Sequence, residues 1–359
     1  MKIALVHDYL NQYGGAERVL ETLCEIFPDA PIFTLIHDEE KSLGRFKNKI
    51  EGTSFLNRKF VARNHRMFIP LMPFAASQMN IGKEYDVILS ASAGYAKGMN
   101  FHPESYHIFY CYTPLRYAWE YHKYFNWHPA VKLAASPVSW YLRNWDFRAA
   151  QKPDKILAVS NYISGKIKDY YSRDSEVLYP PVDTKIFYKE KNSRPKGYFL
   201  AAGRLMHYKR FDLIIEAFNK LNLPLLITGD GPELKNLQSL VRSPKIDFIP
   251  FVPEGELRKL YNEAEALIFP QVEDFGLVAA EAQACGTPVI AFNGGGAAEI
   301  VKGGTTGIFF EDQSPESLAL AVKRFLLSSF DGKEIEKSAQ RFAKSKFTDK
   351  ILKIVKQHE

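Results

Sequence analysis

The sequence predicts an α/β protein built from two Rossmann-like domains, and three observations support this fold class. Short apolar runs alternate with amphipathic stretches of helical period along the chain, the pattern of parallel strands covered by helices. The length of 359 residues suits two domains of ordinary size. Prolines and charges concentrate at residues 180–197, which is typical of a linker between two halves.

Apolar runs predict six strands in each half. In the first half they cover residues 2–8, 31–36, 85–91, 107–112, 155–160 and 176–180. In the second half they cover residues 198–203, 223–229, 246–251, 266–270, 288–292 and 306–310. We therefore expect a first domain at residues 1–180, a second at residues 181–339, and an amphipathic helix at residues 340–359. Ligands of such sheets bind beyond the carboxyl ends of the strands, so the active site is expected between the domains.

Composition narrows the class of function. A formal charge of +6 suits anionic ligands or an anionic surface, but it is too mild at this length to indicate nucleic acid. The three cysteines, Cys24, Cys111 and Cys285, lack metal-ligand spacing and favour a reducing compartment over a disulfide framework. The apolar run at the start is too short for a signal peptide, and no run of about 18 apolar residues appears. A cytoplasmic protein is therefore expected.

Two segments have alternative interpretations. Residues 56–76 mix four basic residues with large apolar ones, namely Arg58, Lys59, Arg63 and Arg66 with Phe60, Phe68, Ile69, Leu71, Met72 and Phe74. They suit either anionic headgroups at the inner face of a membrane or a basic helix and loop packed on the core. Residues 117–127 carry six aromatic residues, which suit a core, an acceptor pocket or a partner contact.

A glycine pair follows the first predicted strand. Gly14 and Gly15 directly precede a stretch with one apolar helical face, so they lie at a helix N-terminus. Glycines there let the backbone approach a ligand, and the N–H groups with the helix dipole favour a phosphate. The alternative is a tight strand-to-helix turn. The motif lacks the Gly-Lys-Ser/Thr ending of a nucleotide-triphosphate loop.

Two basic residues follow the first strand of the second half. Arg204 ends that strand, and Lys209 comes five residues later, just before an amphipathic helix. A guanidinium fork and an ammonium group at one strand end suit a diphosphate, although basic residues are also common in surface turns. The stretches TGDGPEL and NGGGAAEI both lack the third glycine of a dinucleotide fingerprint, so a nicotinamide dehydrogenase is disfavoured.

Two carboxylates lie in the stretch EDFGLVAAEAQACGTPVIAF. Glu273 is expected in the loop after a strand, and Glu281 in a short helix over residues 276–285 that Gly286 ends. On one helix the two would be about 12 Å apart along the axis, whereas hydrolase carboxylates are roughly 5 to 9.5 Å apart. The spacing favours two contacts on one extended ligand, such as a sugar and a ribose joined by a diphosphate. The alternative is a locally paired Glu281 and a solvated Glu273.

Taken together, the motifs resemble the retaining family-4 glycosyltransferases of the GT-B fold. The matching elements are GGAER (14–18), VSNYISGKI (159–167), YPPVDTKIF (179–187), GR with a lysine five residues later (204 and 209), TGDGPE (228–233), EDFGLVAAE (273–281) with AQACGTPVIAF, and GGGAAEIV (294–301). The resemblance covers nearly the whole chain. It implies two Rossmann-like domains facing across a cleft, with a last helix that returns to the first domain.

Within that family, HIFYCYTPLRYAWEY at residues 107–121 resembles the mannosyltransferase-like branch that includes WbaZ-type proteins of O-antigen and exopolysaccharide assembly. In that branch a histidine commonly precedes the Thr-Pro, and this chain has Tyr112 there. Any role of that histidine beside the donor sugar or the acceptor is therefore open. Tyr112 retains a hydroxyl that can donate a hydrogen bond, and His7 and His122 are the alternatives, although a lone histidine is more often structural.

The resemblance implies roles for the acidic and basic residues. Glu273 would contact the donor hexose and Glu281 the ribose, while Arg204 and Lys209 would hold the diphosphate. Glu273, Arg204 and Lys209 are therefore the expected catalytic residues.

The resemblance also implies backbone contacts. Amides of Phe275, Gly276 and Leu277 would lie near the donor, and Gly14 with Gly15 would meet the phosphate and the acceptor side. The expected reaction moves a hexose, with mannose favoured, from a nucleotide diphosphate sugar such as GDP-mannose to a saccharide or lipid-linked acceptor with retention of configuration. No metal is expected, because the cationic site would replace magnesium. The rivals are a GT-B epimerase or phosphorylase and a non-catalytic scaffold that binds a nucleotide sugar or a membrane.

Overall fold

The computed structural model describes residues 1–120 and 129–358. The chain divides into two compact units, one formed by Met1–Tyr179 with Phe347–Glu359 and the other by Pro180–Lys346. Each unit contains one large parallel sheet with helices packed on it. The predicted α/β class with two Rossmann-like domains is confirmed.

Unit 1 contains a seven-stranded parallel sheet in the order β3-β2-β1-β5-β7-β8-β9. The strands of this unit are β1 (Ile3–Leu10), β2 (Ile32–His37), β3 (Ile50–Thr53), β4 (Asn80–Ile81), β5 (Val87–Ser92), β6 (Asn100–Phe101), β7 (Tyr106–Cys111), β8 (Lys155–Ala158) and β9 (Glu176–Val177). Strands β4 and β6 pair separately as a two-stranded sheet. The six predicted strands are present, whereas β3, β4 and β6 were not predicted because they are short and carry little apolar signal.

The helices of unit 1 lie between its strands along the chain. They are α1 (Gly15–Ile26), α2 (Lys59–Arg63), α3 (Met72–Gln78), α4 (Arg116–Trp119), α5 (Pro129–Ala149) and α6 (Asn161–Tyr171), with a 3₁₀ helix at His65–Leu71. Helix α6 starts where the Ser160 hydroxyl accepts a hydrogen bond from the Ile163 N–H at 3.1 Å. Part of the aromatic stretch 117–127, including His122, lies outside the described residues, so its predicted roles stay predictions.

Unit 2 contains a six-stranded parallel sheet in the order β12-β11-β10-β13-β14-β15. Its strands are β10 (Tyr198–Ala202), β11 (Leu225–Thr228), β12 (Ile246–Ile249), β13 (Ala264–Phe269), β14 (Val289–Phe292) and β15 (Gly307–Phe310). Its helices are α7 (Phe211–Leu221), α8 (Leu234–Leu240), α9 (Glu254–Glu263), α10 (Leu277–Ala284), α11 (Ala297–Ile300), α12 (Pro315–Leu326) and α13 (Gly332–Ala339). All six predicted strands of this half are confirmed.

The last helix, α14 (Lys344–Lys356), begins in unit 2, and its residues from Phe347 onward belong to unit 1. The ring of Phe347 packs edge-on against Tyr110 of β7, with ring centroids 5.7 Å apart. The ammonium group of Lys350 donates to the Val177 carbonyl at 2.7 Å. These contacts explain why the helix is amphipathic, since its apolar side is buried on the sheet of unit 1.

The prediction of a linker at residues 180–197 is wrong for much of that stretch. Val182 and Phe187 are fully buried within unit 2, and Val182 pairs with Ala343. The side chain of Phe187 packs against Tyr261 with ring centroids 6.0 Å apart. The prolines and charges signalled irregular backbone correctly, but the apolar residues between them contribute to the core.

Candidate functional site

In both sheets the strand order reverses beside the first strand of the unit, between β1 and β5 in unit 1 and between β10 and β13 in unit 2. In open parallel sheets, ligands bind beyond the carboxyl ends of the strands at such a reversal. The loops after these strands hold most of the predicted site residues.

In unit 2, the structure brings Lys209 and Glu273 together. The Lys209 ammonium group, in the turn after β10, donates to Oε1 of Glu273, in the loop after β13. The Gln271 amide donates to the same oxygen at 3.3 Å. The side chains of Lys209 and Glu273 are 14% and 22% exposed, so both remain accessible to a ligand. A cation and a carboxylate that share one partly open position can bind the charged and hydroxyl groups of a single ligand.

Glycines hold the Glu273 loop in place. Gly296 donates its N–H to the Glu273 carbonyl at 2.8 Å, and a Cβ at Gly296 would lie 2.2 Å from the Phe275 carbonyl oxygen. Gly295 has a φ of +62°, a left-handed conformation that favours glycine. The GGG stretch of the sequence therefore supports the loop that carries Glu273, a role that the motif comparison did not reveal.

The loop after β10 is supported in the same way by the TGDG stretch. Leu205 donates its N–H to the Asp230 carbonyl at 2.8 Å, and a Cβ at Gly229 would lie 1.9 Å from the Gly203 carbonyl oxygen. Arg204 lies in this loop and is exposed. Gly229 thus allows close backbone packing against the loop that carries the predicted phosphate-binding residues Arg204 and Lys209.

The two carboxylates of the Glu-seven-Glu element lie in different environments. Glu273 is in a loop and partly exposed, whereas Glu281 is within α10 and only 1% exposed. The predicted helix is confirmed, and Gly286 follows its end with a φ of +75°. Burial, followed by the Glu281 charge, raises the pKa of the Cys285 thiol.

The backbone positions predicted to face the donor surround the start of α10. Gly276 is the residue before this helix and has a φ of +108°, and Leu277 is the first helical residue. Phe275 is buried, and its ring packs edge-on against Phe342 at a centroid distance of 5.3 Å. The N–H groups of a first helical turn have no acceptor within the helix, so a ligand can accept hydrogen bonds from them. Their contact with the donor sugar nucleotide stays a prediction.

In unit 1, the glycine pair starts α1 as predicted. The N–H of Gly14 donates to Oε2 of Glu17 at 2.8 Å, and Gly15 is the first helical residue. Glu17 is only 2% exposed, so its carboxylate acts as an internal cap on the helix. A phosphate at Gly14 would compete with this carboxylate for the N–H.

His7 and Tyr112 lie beside this turn. The rings of the two residues meet edge-on with centroids 6.0 Å apart, and His7 Nε2 is 3.9 Å from a Glu17 oxygen. The Tyr112 hydroxyl donates to the Ala16 carbonyl at 3.0 Å. Burial raises the pKa of Tyr112 well above its usual value, so the hydroxyl stays protonated and keeps this bond. Tyr112 therefore fixes the start of α1 to the end of β7.

Asp8 is a buried polar residue that sequence reasoning missed. One carboxylate oxygen accepts from the Ser92 hydroxyl and from the N–H groups of Tyr95 and Ala96, at 2.7 to 2.8 Å. The other accepts from the Ala93 N–H at 2.7 Å. The only signal in the sequence was an aspartate at the end of the first strand, beside the point where the strand order reverses.

Two sheets of Rossmann order, each with polar residues at its reversal point, define an α/β protein of the GT-B fold class. The model of the family Glycosyl transferases group 1 matches residues 182–346, nearly all of unit 2. Unit 2 is therefore similar to this family along nearly its whole length.

Curated relatives match a part of the chain. The uncharacterized glycosyltransferase MJ1178 of Methanocaldococcus jannaschii is 28% identical over 194 residues, 53% of this chain and 53% of the relative. The D-inositol 3-phosphate glycosyltransferase of Nocardioides sp. is 27% identical over 214 residues, 49% of this chain and 47% of the relative. The chain thus spans about half the length of these curated relatives in the matches.

A solved structure matches the whole chain. Anabaena Alr3699/HepE in complex with UDP superposes with a TM-score of 0.70 at 18% identity, covering 99% of this chain and 100% of that one. Identity at this level shows a common fold. Within the described residues, no helix is long and apolar enough to span a bilayer.

Proposed function

We propose that this protein is a glycosyltransferase that moves a hexose from a nucleotide diphosphate sugar to an acceptor hydroxyl with retention of configuration. The observation that carries the proposal is the partly exposed pair of Lys209 and Glu273 at the reversal point of a unit similar to the family Glycosyl transferases group 1. The UDP bound to the structurally similar Alr3699/HepE supports a nucleotide donor.

The charges of unit 2 suit departure of a nucleotide diphosphate. Lys209 and Arg204 would stabilise the negative charge that develops on the leaving diphosphate, which is the main barrier in such a transfer. This cationic site would act without a metal ion. Glu273 would accept a hydrogen bond from a hydroxyl of the sugar, and its pair with Lys209 would hold the carboxylate in position.

Retention without an enzymic nucleophile requires attack on the face from which the diphosphate departs. The leaving phosphate oxygen would take the acceptor proton, so no separate general base is needed. We propose that the donor is GDP-mannose and that Glu281 contacts its ribose, while amides at residues 275–277 contact the donor. Because the Glu281 side chain is nearly buried, this contact requires that the ribose of the donor reaches a poorly exposed carboxylate.

For unit 1 we propose the acceptor side. Gly14 and Gly15 would meet the phosphate and the acceptor, and His7 would lie near the sugar. Tyr112 would act as a positioning residue, since its hydroxyl holds the start of α1. The acceptor would be a saccharide or a saccharide linked to a lipid, as in polysaccharide assembly at the cytoplasmic face of a membrane.

The test is transfer by charge variants of unit 2. Lys209→Ala, Arg204→Ala and Glu273→Gln should each lower transfer at least about tenfold, which equals 1.4 kcal/mol of transition-state stabilisation. The matched control is Lys220→Ala, which removes a lysine from an exposed ion pair with Glu316 and should keep wild-type rates. Wild-type rates in folded Lys209→Ala would contradict the phosphate assignment.

Product analysis separates the rivals. A new glycosidic product, identified by NMR with the anomeric configuration of the donor, supports the proposal. Epimerised donor or consumption of free phosphate would indicate an epimerase or a phosphorylase, and binding without turnover would indicate a scaffold. Thermal shifts with GDP, UDP, ADP and their sugar conjugates identify the donor, because a ligand of the folded state raises its apparent stability.

A further inference from the structure

The segment from Phe55 to Phe74 of unit 1 has large apolar side chains on its solvent side. We call these side chains the outer face; they are Phe55, Phe60, Met67, Leu71 and Phe74. Their exposed fractions range from 49% for Leu71 to 72% for Met67. The rings of Phe55 and Phe74 touch edge-on with centroids 5.9 Å apart, so the two ends of the segment meet in one patch. Contiguous exposed apolar patches of this kind mark interaction sites.

The core of the unit does not account for the outer face, because other residues of the same segment already fill that core. Leu56, Val61, Ala62, Ile69 and Met72 are buried in the core cluster that also contains residues of β1 and β2. A surface helix normally carries polar residues opposite its buried stripe. Here five of the exposed positions are large and apolar instead.

The outer face is bordered by positive charge. Arg58, Lys59, Arg63 and Arg66 are all exposed, and the sequence from Gly52 to Lys83 contains no acidic residue. The acidic residues 38–40 line a groove together with Lys59 and Arg63, which offsets part of the charge on that side. Glu39 in this group is itself paired with Lys47 at 2.8 Å.

We propose that the outer face binds the surface of a bilayer with anionic headgroups. Its apolar side chains would enter the boundary between headgroups and acyl chains, while the four basic side chains would pair with the headgroups. Exposed aromatic and aliphatic side chains interleaved with arginine and lysine, without acidic residues between them, are the composition of an interfacial membrane segment. A protein partner would not require this excess of one charge.

The structure also connects this surface to the acceptor side of unit 1. Asn11, in the loop between β1 and the Gly14 turn, donates its side-chain amide to the Ala62 carbonyl at 3.0 Å. The same amide nitrogen is 3.0 Å from Nδ1 of His65. The outer face is thus held at the edge of the sheet where the glycine pair lies. If the proposed function holds, the acceptor is a saccharide carried by a lipid of that membrane.

The experiment is sedimentation of the full-length protein with vesicles. Phosphatidylcholine vesicles with about one-third phosphatidylglycerol should bind the protein, pure phosphatidylcholine vesicles should bind it much more weakly, and added salt should release it. Arg63→Glu with Arg66→Glu, and separately Phe60→Ser with Met67→Ser, should each lower the partition coefficient at least about tenfold. Circular dichroism and the melting temperature check folding, and Arg66→Gln with Met67→Gln provides a milder variant if either pair fails to fold.

Matched controls change the same chemistry elsewhere on the surface. Lys333→Glu with Lys337→Glu reverses two exposed charges of α13, and Leu320→Ser with Leu327→Ser removes two exposed leucines of unit 2. Both controls should sediment like the wild type. Equal loss in the controls, or equal binding to neutral and anionic vesicles, would overturn the proposal.

The remaining outcomes separate this proposal from others. Absence of vesicle binding, together with a dimer in light scattering that Phe60→Ser disrupts, would overturn it and assign the outer face to a second copy of the chain. Lys209→Ala should still sediment with anionic vesicles, and the outer-face variants should still transfer sugar to a soluble acceptor. Failure of the proposed function and failure of membrane binding can therefore be distinguished.

Discussion

The polar side chains at the carboxyl edges of the two sheets differ in how far they are exposed. In unit 1, Asp8 and Glu17 are buried, and backbone N–H groups or protein side chains already donate to their oxygens. In unit 2, Lys209 and Glu273 pair with each other but remain partly exposed. Polar residues near the carboxyl ends of the strands in the two units thus differ in burial and in their partners.

The difference shows how burial decides the role of a polar residue. A buried carboxylate is stable only when hydrogen bonds or a cation satisfy it, and a ligand would have to replace those partners. A partly exposed ion pair contributes little to folding but keeps atoms available for a ligand. We therefore expect the polar residues of unit 1 to act mainly on stability and those of unit 2 mainly on transfer.

The largest effect is expected for the ion pair of Lys97 and Asp146, which is completely buried in unit 1. Trp119 and Tyr171 also donate to Asp146, at 2.8 and 2.7 Å. Lys97→Met would leave the carboxylate buried without its cation, so we expect a loss of about 3 to 5 kcal/mol in the free energy of unfolding. Urea denaturation followed by tryptophan fluorescence measures it, because Trp119, Trp140 and Trp145 lie in unit 1 and residues 180–346 of unit 2 contain no tryptophan.

The control for this prediction is an exposed ion pair of the same unit. Lys168 pairs with Asp174, and their side chains are 62% and 91% exposed. Lys168→Met should leave the denaturation midpoint unchanged. A loss in Lys97→Met no larger than in this control would show that burial does not separate the two classes of polar residue.

A smaller effect concerns acid sensitivity through His107 of unit 1. Burial, with smaller contributions from Lys152 and Lys97, lowers the pKa of His107 to about 3, and its Nε2 is 2.7 Å from the Ser90 hydroxyl. A folded pKa below the unfolded value means that the neutral ring stabilises the fold above pH 6.5, and that this stability is lost as the pH falls. Lowering the pH from about 7.5 to 5.5 should therefore reduce the free energy of unfolding by about 1.4 kcal/mol through this residue.

The variant His107→Gln isolates this contribution. It lacks a titratable ring, so its unfolding free energy should fall less steeply with acid than that of the wild type, while the other histidines contribute equally to both. Parallel pH profiles of the two proteins would mean that His107 is not the group that loses stability in acid.

The sequence was sufficient to predict the described strands other than β3, β4 and β6, because apolar runs mark strands that are buried in parallel sheets. Val87–Ser92, for example, is buried throughout, and its residues are apolar except for Ser90 and Ser92. The helix that carries Glu281 was also predictable, since Gly286 marks its end. The order of strands and helices along the chain was therefore enough to predict the fold class.

Burial of polar side chains was not predictable, because it depends on contacts between distant residues. The residues next to Glu17 in the sequence do not indicate that its side chain is buried. They also do not indicate that its carboxylate accepts a hydrogen bond from the Gly14 N–H. The same holds for Phe187, whose charged neighbours suggested a linker although its ring is in the core. The pairing of Lys209 with Glu273 joins residues 64 apart, which local patterns do not specify.

The smallest effect is expected for Tyr112 of unit 1, where a role in stability and a role in transfer are hardest to separate. Tyr112→Phe removes the hydrogen bond to the Ala16 carbonyl and keeps the ring beside His7, so unfolding should become about 1 kcal/mol easier. A positioning role predicts a modest rise in KM for the acceptor with kcat within about twofold of the wild type. A kcat loss of tenfold or more at unchanged stability would instead show that the hydroxyl touches the reacting sugar. In that case unit 1 would present a functional polar group at the edge of its sheet, as we propose for unit 2.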